Sequence, residues 1–265
     1  MARSTQSKLR YKNIAFKLLV VCFWLLAWEG VSRLLASDIL LPSPYAVIKT
    51  LCKLMLTFDF WETILFSSFR IVTGFLLALL VGSLLAVLSY LNKLIKELFM
   101  PMMKAIQAMP VASFIIIALV WIDSTNLSVL TSFLLVMPLI YSNIFQGLLS
   151  ADRKLLQMAS VFRLNRRKQI MAVYIPSTIS YFISAISVGM GFCWKAGIAA
   201  EVIGKPSGSI GKRLYESEVN LMMEELFAWT IVIIVISVIF ERAVMLLLRL
   251  IHKDPISNQK ISIIE

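Results

Sequence analysis

Four charged residues lie close to the ends of long apolar runs: Glu29, Arg70, Lys195 and Glu201. A charged side chain in an apolar environment is costly unless it is paired or hydrated. Three interpretations stay open. The residues form a gate of ion pairs, Arg70 or Lys195 attracts an anionic solute, or the charges pair structurally and reach toward water; we favour the last.

The chain lacks the residue patterns of common catalytic and metal centres. It contains no G-x-x-x-x-G-K-[ST] phosphate loop and no H-E-x-x-H zinc motif, and its single histidine is His252. Cys22, Cys52 and Cys193 have neither metal-binding nor redox spacing. We therefore expect no enzyme, no resident cofactor and no metal, and we expect that this chain does not itself hydrolyse ATP through a phosphate loop.

The composition indicates a lipid bilayer as the solvent. Of the 265 residues, 59% are hydrophobic and only 15% are charged, whereas soluble domains are about 45–50% apolar and about 25% charged. The net charge of +11 comes from basic residues that lie mostly between apolar runs. We therefore expect contact with lipid and none with nucleic acid.

Six apolar runs are long enough to cross a bilayer, which needs about 20 residues in a helix. Helices are expected because lipid offers backbone amides no other partner. The predicted fold is thus an all-α polytopic membrane protein. Proline can kink a helix, and Pro110 and Pro138 fall in the third and fourth runs. The runs are Ile14–Ala36, Ile64–Leu91, Pro101–Ile122, Asn126–Leu149, Ser177–Ala200 and Phe227–Leu250.

The basic residues alternate across the predicted spans. Eighteen of the 26 Lys and Arg residues fall in the N-terminal stretch up to Lys17, the 93–104 loop, the 153–168 connection and the stretch from Arg242 onward. The positive-inside rule then places both termini in the cytoplasm of a multi-pass plasma-membrane protein. We predict a cytoplasmic arm over 1–13, one transmembrane domain over 14–250 and a cytoplasmic tail over 251–265.

The connection between the fourth and fifth spans, residues 151–176, is the longest basic segment. Leu155, Met158, Ala159 and Phe162 recur at helical spacing and predict an apolar stripe on a short helix. Such a helix with a basic end docks in a groove of another protein or lies on acidic lipid. The residues alone favour neither alternative.

Two spans carry small residues at every fourth position, which lets helices approach closely in lipid. We favour packing within one subunit over a seam between subunits for both stripes. The second span has Gly74, Ala78, Gly82 and Ala86, and the fifth has Ala185, Gly189, Cys193 and Gly197.

The 151–176 connection resembles the cytoplasmic coupling motif of binding-protein-dependent ABC transporter permeases, which runs Glu-Ala-Ala, three residues, Gly, and later Ile-x-Leu-Pro. Gln157, Met158 and Ala159 fall at the Glu-Ala-Ala positions, Arg163 at the glycine and Pro176 at the closing proline. Gln157 loses the charge of the glutamate, and Arg163 is a larger departure. The resemblance implies that Phe162 and Arg166 also contact an ATPase.

Further segments, in the same order along the chain, resemble permeases that import nitrate, sulfonates, taurine and thiamine precursors. They are LLPSPYAVIKTL at 40–51, the Ser67, Ser68, Arg70, Gly74 set, MKAIQAMPVASFIIIALVWI at 103–122, and Trp194 followed by AAEVIG at 199–204. The resemblance implies a type I importer permease without catalysis of its own. It implies two ATPase subunits, an extracytoplasmic substrate-binding protein and a second permease subunit, which we expect to be a second copy.

Two other functional classes are weighed against this one. A secondary transporter or a membrane substrate-capture subunit would show acidic or broken-helix sites near the bilayer midplane, and none is evident in the sequence. An intramembrane enzyme would need a polar cluster at depth, which the spans do not offer.

Overall fold

The computed structural model describes residues 2–35, 37 and 39–251, but not the side chains of residues 2–15, 17, 18, 249 and 251. Every regular element in the described residues is helical, so the all-α prediction is confirmed. The helices are α1 (Ala2–Leu35), α2 (Pro44–Met55), α3 (Phe58–Leu91), α4 (Lys93–Ala108), α5 (Val111–Ala118), α6 (Ser124–Leu149), α7 (Arg153–Val161), α8 (Arg166–Gln169), α9 (Ile175–Gly204), α10 (Ile210–Val219) and α11 (Met223–Ile251).

Four of the described helical stretches are long and apolar enough to cross a membrane: α3, α6, the continuous run Arg166–Gly204 and most of α11. The bent pair of α4 and α5 makes a fifth if it counts as one span. The structure does not describe the side chains at the start of the first predicted span, nor those of the N-terminal arm. The count of six spans therefore stays a prediction.

The third predicted span, 101–122, is not one helix, and the sequence interpretation was wrong here. The chain breaks between α4 and α5, and the two axes differ by 104°. Pro110 has no backbone N–H and its ring disfavours helical geometry at the residue before it. Met109 is accordingly extended, with ψ at 130°, and α5 starts in a new direction.

The described residues form two compact units, one from those up to 62 with 213–232 and one from 63–212 with 233–251. In the first unit, two side chains of α1 donate hydrogen bonds to the loop that precedes α2. Trp28 donates from Nε1 to the Pro42 carbonyl at 3.1 Å, and Ser32 donates to the Leu41 carbonyl at 2.9 Å. Ser43 then caps α2 by accepting a hydrogen bond from the Ala46 amide at 3.2 Å.

The second unit is built around α3, α6 and α9, which approach one another at small residues. A Cβ at Gly74 would lie 2.5 Å from the Val129 carbonyl oxygen, and one at Gly82 would lie 2.9 Å from the Met137 carbonyl oxygen, both on α6. The small stripe of α3, including the fully buried Ala78, thus faces α6. Close backbone approach of this kind is a main source of helix association in lipid.

The small stripe of α9 faces the same core. A Cβ at Gly189 would lie 3.1 Å from Val136 Cγ1 on α6. Ser132 on α6 donates a hydrogen bond to the Cys193 carbonyl at 3.0 Å. The small stripe of α3 and the small stripe of α9 therefore both contact a helix of their own unit, α6.

Candidate functional site: the coupling segment and the buried Glu201 cluster

The coupling segment, residues 151–176, begins with a capped helix. The Asp152 side chain accepts a hydrogen bond from the Lys154 amide at 2.8 Å and so satisfies one of the free N–H groups at the start of α7. Along α7, Ala159 is only 3% exposed. Because its side chain is a single methyl group, α7 can lie close against the rest of the protein at this point.

The other three residues of the predicted apolar stripe are exposed. Leu155 is 46% exposed, Met158 is 55% exposed and Phe162 is 71% exposed. The predicted stripe is thus divided, with Ala159 turned inward and the three larger residues outward. An exposed aromatic residue beside two flexible aliphatic ones is typical of a protein-docking surface.

The end of α7 explains why the motif has a glycine where this chain has Arg163. The Leu164 amide donates to the Ala159 carbonyl at 2.9 Å, and the Arg163 amide donates to the Ser160 carbonyl at 3.0 Å. This pair of bonds is the Schellman motif, whose central residue adopts a left-handed conformation. Arg163 does so with φ at 47°, a conformation that glycine adopts without the steric cost of a Cβ.

A polar and basic surface follows the turn. Asn165 caps α8 by accepting a hydrogen bond from the Lys168 amide at 2.9 Å. Gln157 and Arg163 precede Asn165 in the sequence and are exposed. Arg166 follows Asn165 and is exposed too, as are residues 167 and 168. The segment therefore presents three apolar side chains bordered by positive charge.

The helical run continues from α8 into α9 without a break at Pro176. Residues Ile170–Tyr174 form a π-helical turn, and the Ile175 amide donates to the Ile170 carbonyl. The wider turn fits because Pro176 has no N–H for the ordinary helical bond. Pro176 lies in the first turn of α9 and within the continuous helical run Arg166–Gly204.

At the opposite end of α9, Glu201 is fully buried rather than interfacial. Its Oε2 accepts hydrogen bonds from Ser67 Oγ on α3 at 2.7 Å and from the Gly211 amide at the start of α10 at 3.1 Å. Ser67 Oγ in turn accepts from the Ile210 amide at 2.9 Å. The Glu201 carboxylate and the Ser67 hydroxyl thus accept hydrogen bonds from two backbone N–H groups in the first turn of α10. The N–H groups at the start of a helix have no acceptor within the helix itself, so they favour such oxygen atoms.

The approach of α10 to α9 leaves no room for a side chain at Gly211. A Cβ there would lie 2.3 Å from Glu201 Cβ and 2.5 Å from the Val202 amide nitrogen. The Ser128 side chain on α6 also interacts with the buried Glu201 carboxyl group. Glu201 therefore stabilises the junction of α3, α9 and α10 chiefly through the two hydrogen bonds that its Oε2 accepts.

The four charged residues singled out from the sequence do not form one ion-pair network. Arg70 lies over the Phe66 ring at 3.9 Å and interacts electrostatically with Glu201. Lys195 is exposed, 6.0 Å from the Phe192 ring centroid. Glu29 accepts a hydrogen bond from Arg33 at 2.7 Å within α1. The structure brings together only Arg70 and Glu201.

The sequence interpretation missed one polar contact inside the spans. Ser187 Oγ on α9 donates to Glu241 Oε1 on α11 at 3.1 Å. The available signal was a glutamate inside the last apolar run, and its partner is 54 residues away along the chain. Among the described residues, no group of three or more His, Cys, Asp or Glu side chains could hold a metal ion.

The chain is similar in sequence to known transport permeases. The chain is 24% identical over 225 residues to a Bacillus subtilis (strain 168) protein named as an aliphatic sulfonates transport permease, covering 84% of this chain and 81% of that one. It is 26% identical over 211 residues to a nitrate import permease of Synechococcus elongatus, covering 75% of each. It is 25% identical over 187 residues to a formylaminopyrimidine transport permease of Halalkalibacterium halodurans, covering 68% of this chain and 72% of that one.

Residues 78–254 match the family described as "Binding-protein-dependent transport system inner membrane component". This range includes the whole coupling segment, the core helices α6 and α9 and all of α11. A separate subunit supplies ATP hydrolysis in such systems, in keeping with the missing phosphate loop. The chain therefore belongs to the binding-protein-dependent transport system inner membrane component family, the membrane-spanning permease subunits of ABC importers.

Proposed function

We propose that the coupling segment is the surface on which an ATPase subunit docks. The exposed apolar side chains of Leu155, Met158 and Phe162 carry this proposal. Burying them in a groove of a partner removes apolar area from water, and an aromatic residue at the centre of such a contact contributes most of the binding energy. Arg163 and Arg166 at the rim favour a partner surface with acidic groups.

The link from the segment to the membrane supports a mechanical role. α8, the π-helical turn and α9 form one run of 39 residues. A helix of this kind moves as a stiff element, so a displacement of α8 by the ATPase shifts the core helix α9. Movement of α9 against α3 and α6 then alternates access to the pathway between the two faces of the membrane.

We propose that both termini and the coupling segment face the cytoplasm, as the distribution of basic residues predicts. The α9–α10 junction at Glu201 then lies on the opposite side, where a substrate-binding protein delivers the solute. The pathway forms between two permease subunits, which we propose are two copies of this chain.

The named relatives transport aliphatic sulfonates, nitrate and formylaminopyrimidine. We propose that this chain carries a small polar solute of the same range, that is, a sulfonate such as taurine, nitrate or a thiamine precursor.

Affinity purification of the full chain from its native membrane in a mild detergent tests the docking proposal. The unaltered chain is expected to recover a soluble ATPase subunit. Phe162→Ala combined with Arg166→Glu should lower that recovery by roughly tenfold or more, since central aromatic residues are typical hot spots. Phe58→Ala is the matched control, because Phe58 is 83% exposed and lies outside the segment.

Each variant must reach the membrane in the same amount and elute as a single species, which separates loss of docking from loss of folding. Equal ATPase recovery by the double variant and by Phe58→Ala would contradict the docking proposal.

A further inference from the structure

One face of α9 differs from the exposed face of α3 in the same unit. Tyr181, Ser184, Val188, Gly191 and Lys195 follow one another at spacings of three and four residues, so they line one side of the helix. We call these five residues the α9 stripe. From Tyr181 to Lys195 the stripe extends about 21 Å, most of the roughly 30 Å hydrocarbon core of a bilayer.

The α9 stripe is open to the surroundings. Tyr181 is 38% exposed and Val188 is 48% exposed, and Ser184 and Lys195 are exposed. A Cβ at Gly191 would meet no atom within 4 Å. Among the described residues Lys195 forms no ion pair. The stripe thus presents hydroxyl groups and one free cation to whatever covers it.

The exposed face of α3 shows what lipid-facing residues look like in the same unit. Between residues 65 and 91 every exposed side chain is Leu, Phe or Val. Leu76 is 55% exposed, Leu80 is 69% exposed and Leu84 is 57% exposed. Lipid gives a hydroxyl or an ammonium group no hydrogen-bond partner, so the α9 stripe is suited to water rather than to acyl chains.

The break between α4 and α5 is a second and independent sign of water beside α9. The first N–H groups of α5 have no acceptor within that helix, and Ala112 and Ser113 are exposed rather than covered by protein. At membrane depth such a break occurs only where it is buried in protein or lines a water-filled cavity. α5 packs against the outer part of α9 through Ile115, Ala118 and Ala200.

We propose that the α9 stripe is a wall of the water-filled translocation pathway and that Lys195 makes this pathway selective for small anions. The proposal rests on the permease function and specifies the chemical class of its solute. Of the solutes named for the relatives, sulfonates and nitrate are anions, and a cation without a neighbouring carboxylate favours them over neutral or positive solutes.

Cysteine accessibility tests the proposal without knowledge of the solute. In a background of Cys22→Ser, Cys52→Ser and Cys193→Ala, single variants Ser184→Cys and Gly191→Cys are prepared in membrane vesicles with the native partners. Leu80→Cys and Leu84→Cys on α3 are the lipid-facing controls. Each is treated with an anionic sulfonatoethyl or a cationic trimethylammonioethyl methanethiosulfonate, which modify thiols exposed to water.

Thiols at 184 and 191 are expected to react roughly tenfold faster than those at 80 and 84, because only a hydrated thiol ionises readily. Lys195 is one helical turn from position 191, so Lys195→Gln should lower the ratio of anionic to cationic rates at Gly191→Cys by about tenfold. Lys93→Gln, which removes a charge at the start of α4, should leave that ratio unchanged.

Slow reaction at 184 and 191, equal to that at 80 and 84, would overturn the pathway wall and assign the stripe to lipid or to a dry subunit contact. Fast reaction with a ratio that Lys195→Gln does not change would overturn anion selectivity. Recovery of the ATPase subunit is measured on the same membranes. If it persists while the labelling fails, the stripe proposal is wrong and the permease function stands.

Discussion

Replacement of Ser67 by alanine tests the account of the Glu201 junction, and the neighbouring Ser68 supplies its control. Ser67 Oγ donates to Glu201 Oε2 at 2.7 Å and accepts from the Ile210 amide at 2.9 Å, all in a fully buried environment. Ser68 Oγ is also buried, but it has no hydrogen-bond partner. The two substitutions remove the same atom type from adjacent positions of α3.

The expected magnitudes differ because of these partners. A buried polar group left without a hydrogen bond costs about 1–3 kcal/mol. Ser67→Ala leaves the Ile210 amide without an acceptor and removes one of the two donors to Glu201 Oε2, which keeps Gly211. We expect a loss of about 2–4 kcal/mol in the free energy of unfolding. Ser68→Ala should change it by less than about 0.5 kcal/mol or raise it slightly.

The assay is reversible unfolding of the purified full chain in mild detergent by titration with dodecyl sulfate, followed by tryptophan fluorescence. Both variants are compared with the unaltered chain in the same detergent. Equal stability of the two variants would refute the reasoning, because it would mean that the Ser67 hydrogen bonds contribute nothing beyond those of an unpartnered hydroxyl.

Three further substitutions follow from backbone geometry. Arg163→Gly should raise the free energy of unfolding by about 0.5–1 kcal/mol, because relief of the left-handed strain exceeds the entropy that glycine adds to the unfolded chain; the same titration measures it, and a lower stability would contradict the strain argument. Gly211→Ala should strongly lower the yield of folded protein in the membrane, because its Cβ would lie 2.3 Å from Glu201 Cβ; Gly30→Ala, with no atom within 4 Å of its Cβ, is the control, and equal yields would contradict the contact. Gly74→Ala should cost about 1–3 kcal/mol of stability through overpacking against α6, and an unchanged titration midpoint would show that α3 and α6 are farther apart.

The helical class of the fold was predictable because long apolar runs in lipid leave the backbone one solution. The break of the third span was not. Pro110 was visible as a potential kink, yet a 104° change of direction depends on what α5 packs against after the break. The contact of α5 with Ala200 on α9 joins residues far apart in the sequence.

Long-range hydrogen bonds explain why the complete burial of Glu201 was not predicted. Its position near the end of a span suggested access to water, but Ser67 is 134 residues away and no local pattern reveals that pairing. The same holds for Ser187 and Glu241. In contrast, the caps that Asp152 and Asn165 form in the coupling segment are local features, which a sequence pattern can reveal.

The left-handed conformation of Arg163 shows a limit of a different kind. Arginine seldom adopts positive φ, so nothing in its own chemistry predicts it. Only the alignment with a motif that has glycine at this position pointed to a special conformation there. The Schellman hydrogen bonds at the end of α7 supply the physical reason.

The most direct test of the account is site-specific photo-crosslinking from the coupling segment in the assembled transporter. A benzoylphenylalanine in place of Phe162, activated in native membranes, is expected to form a covalent product with a subunit whose peptides include an ATPase phosphate loop. The same group in place of Phe58 should not form this product. Absence of an ATPase product from position 162, or equal yields from both positions, would contradict the docking of an ATPase on this segment.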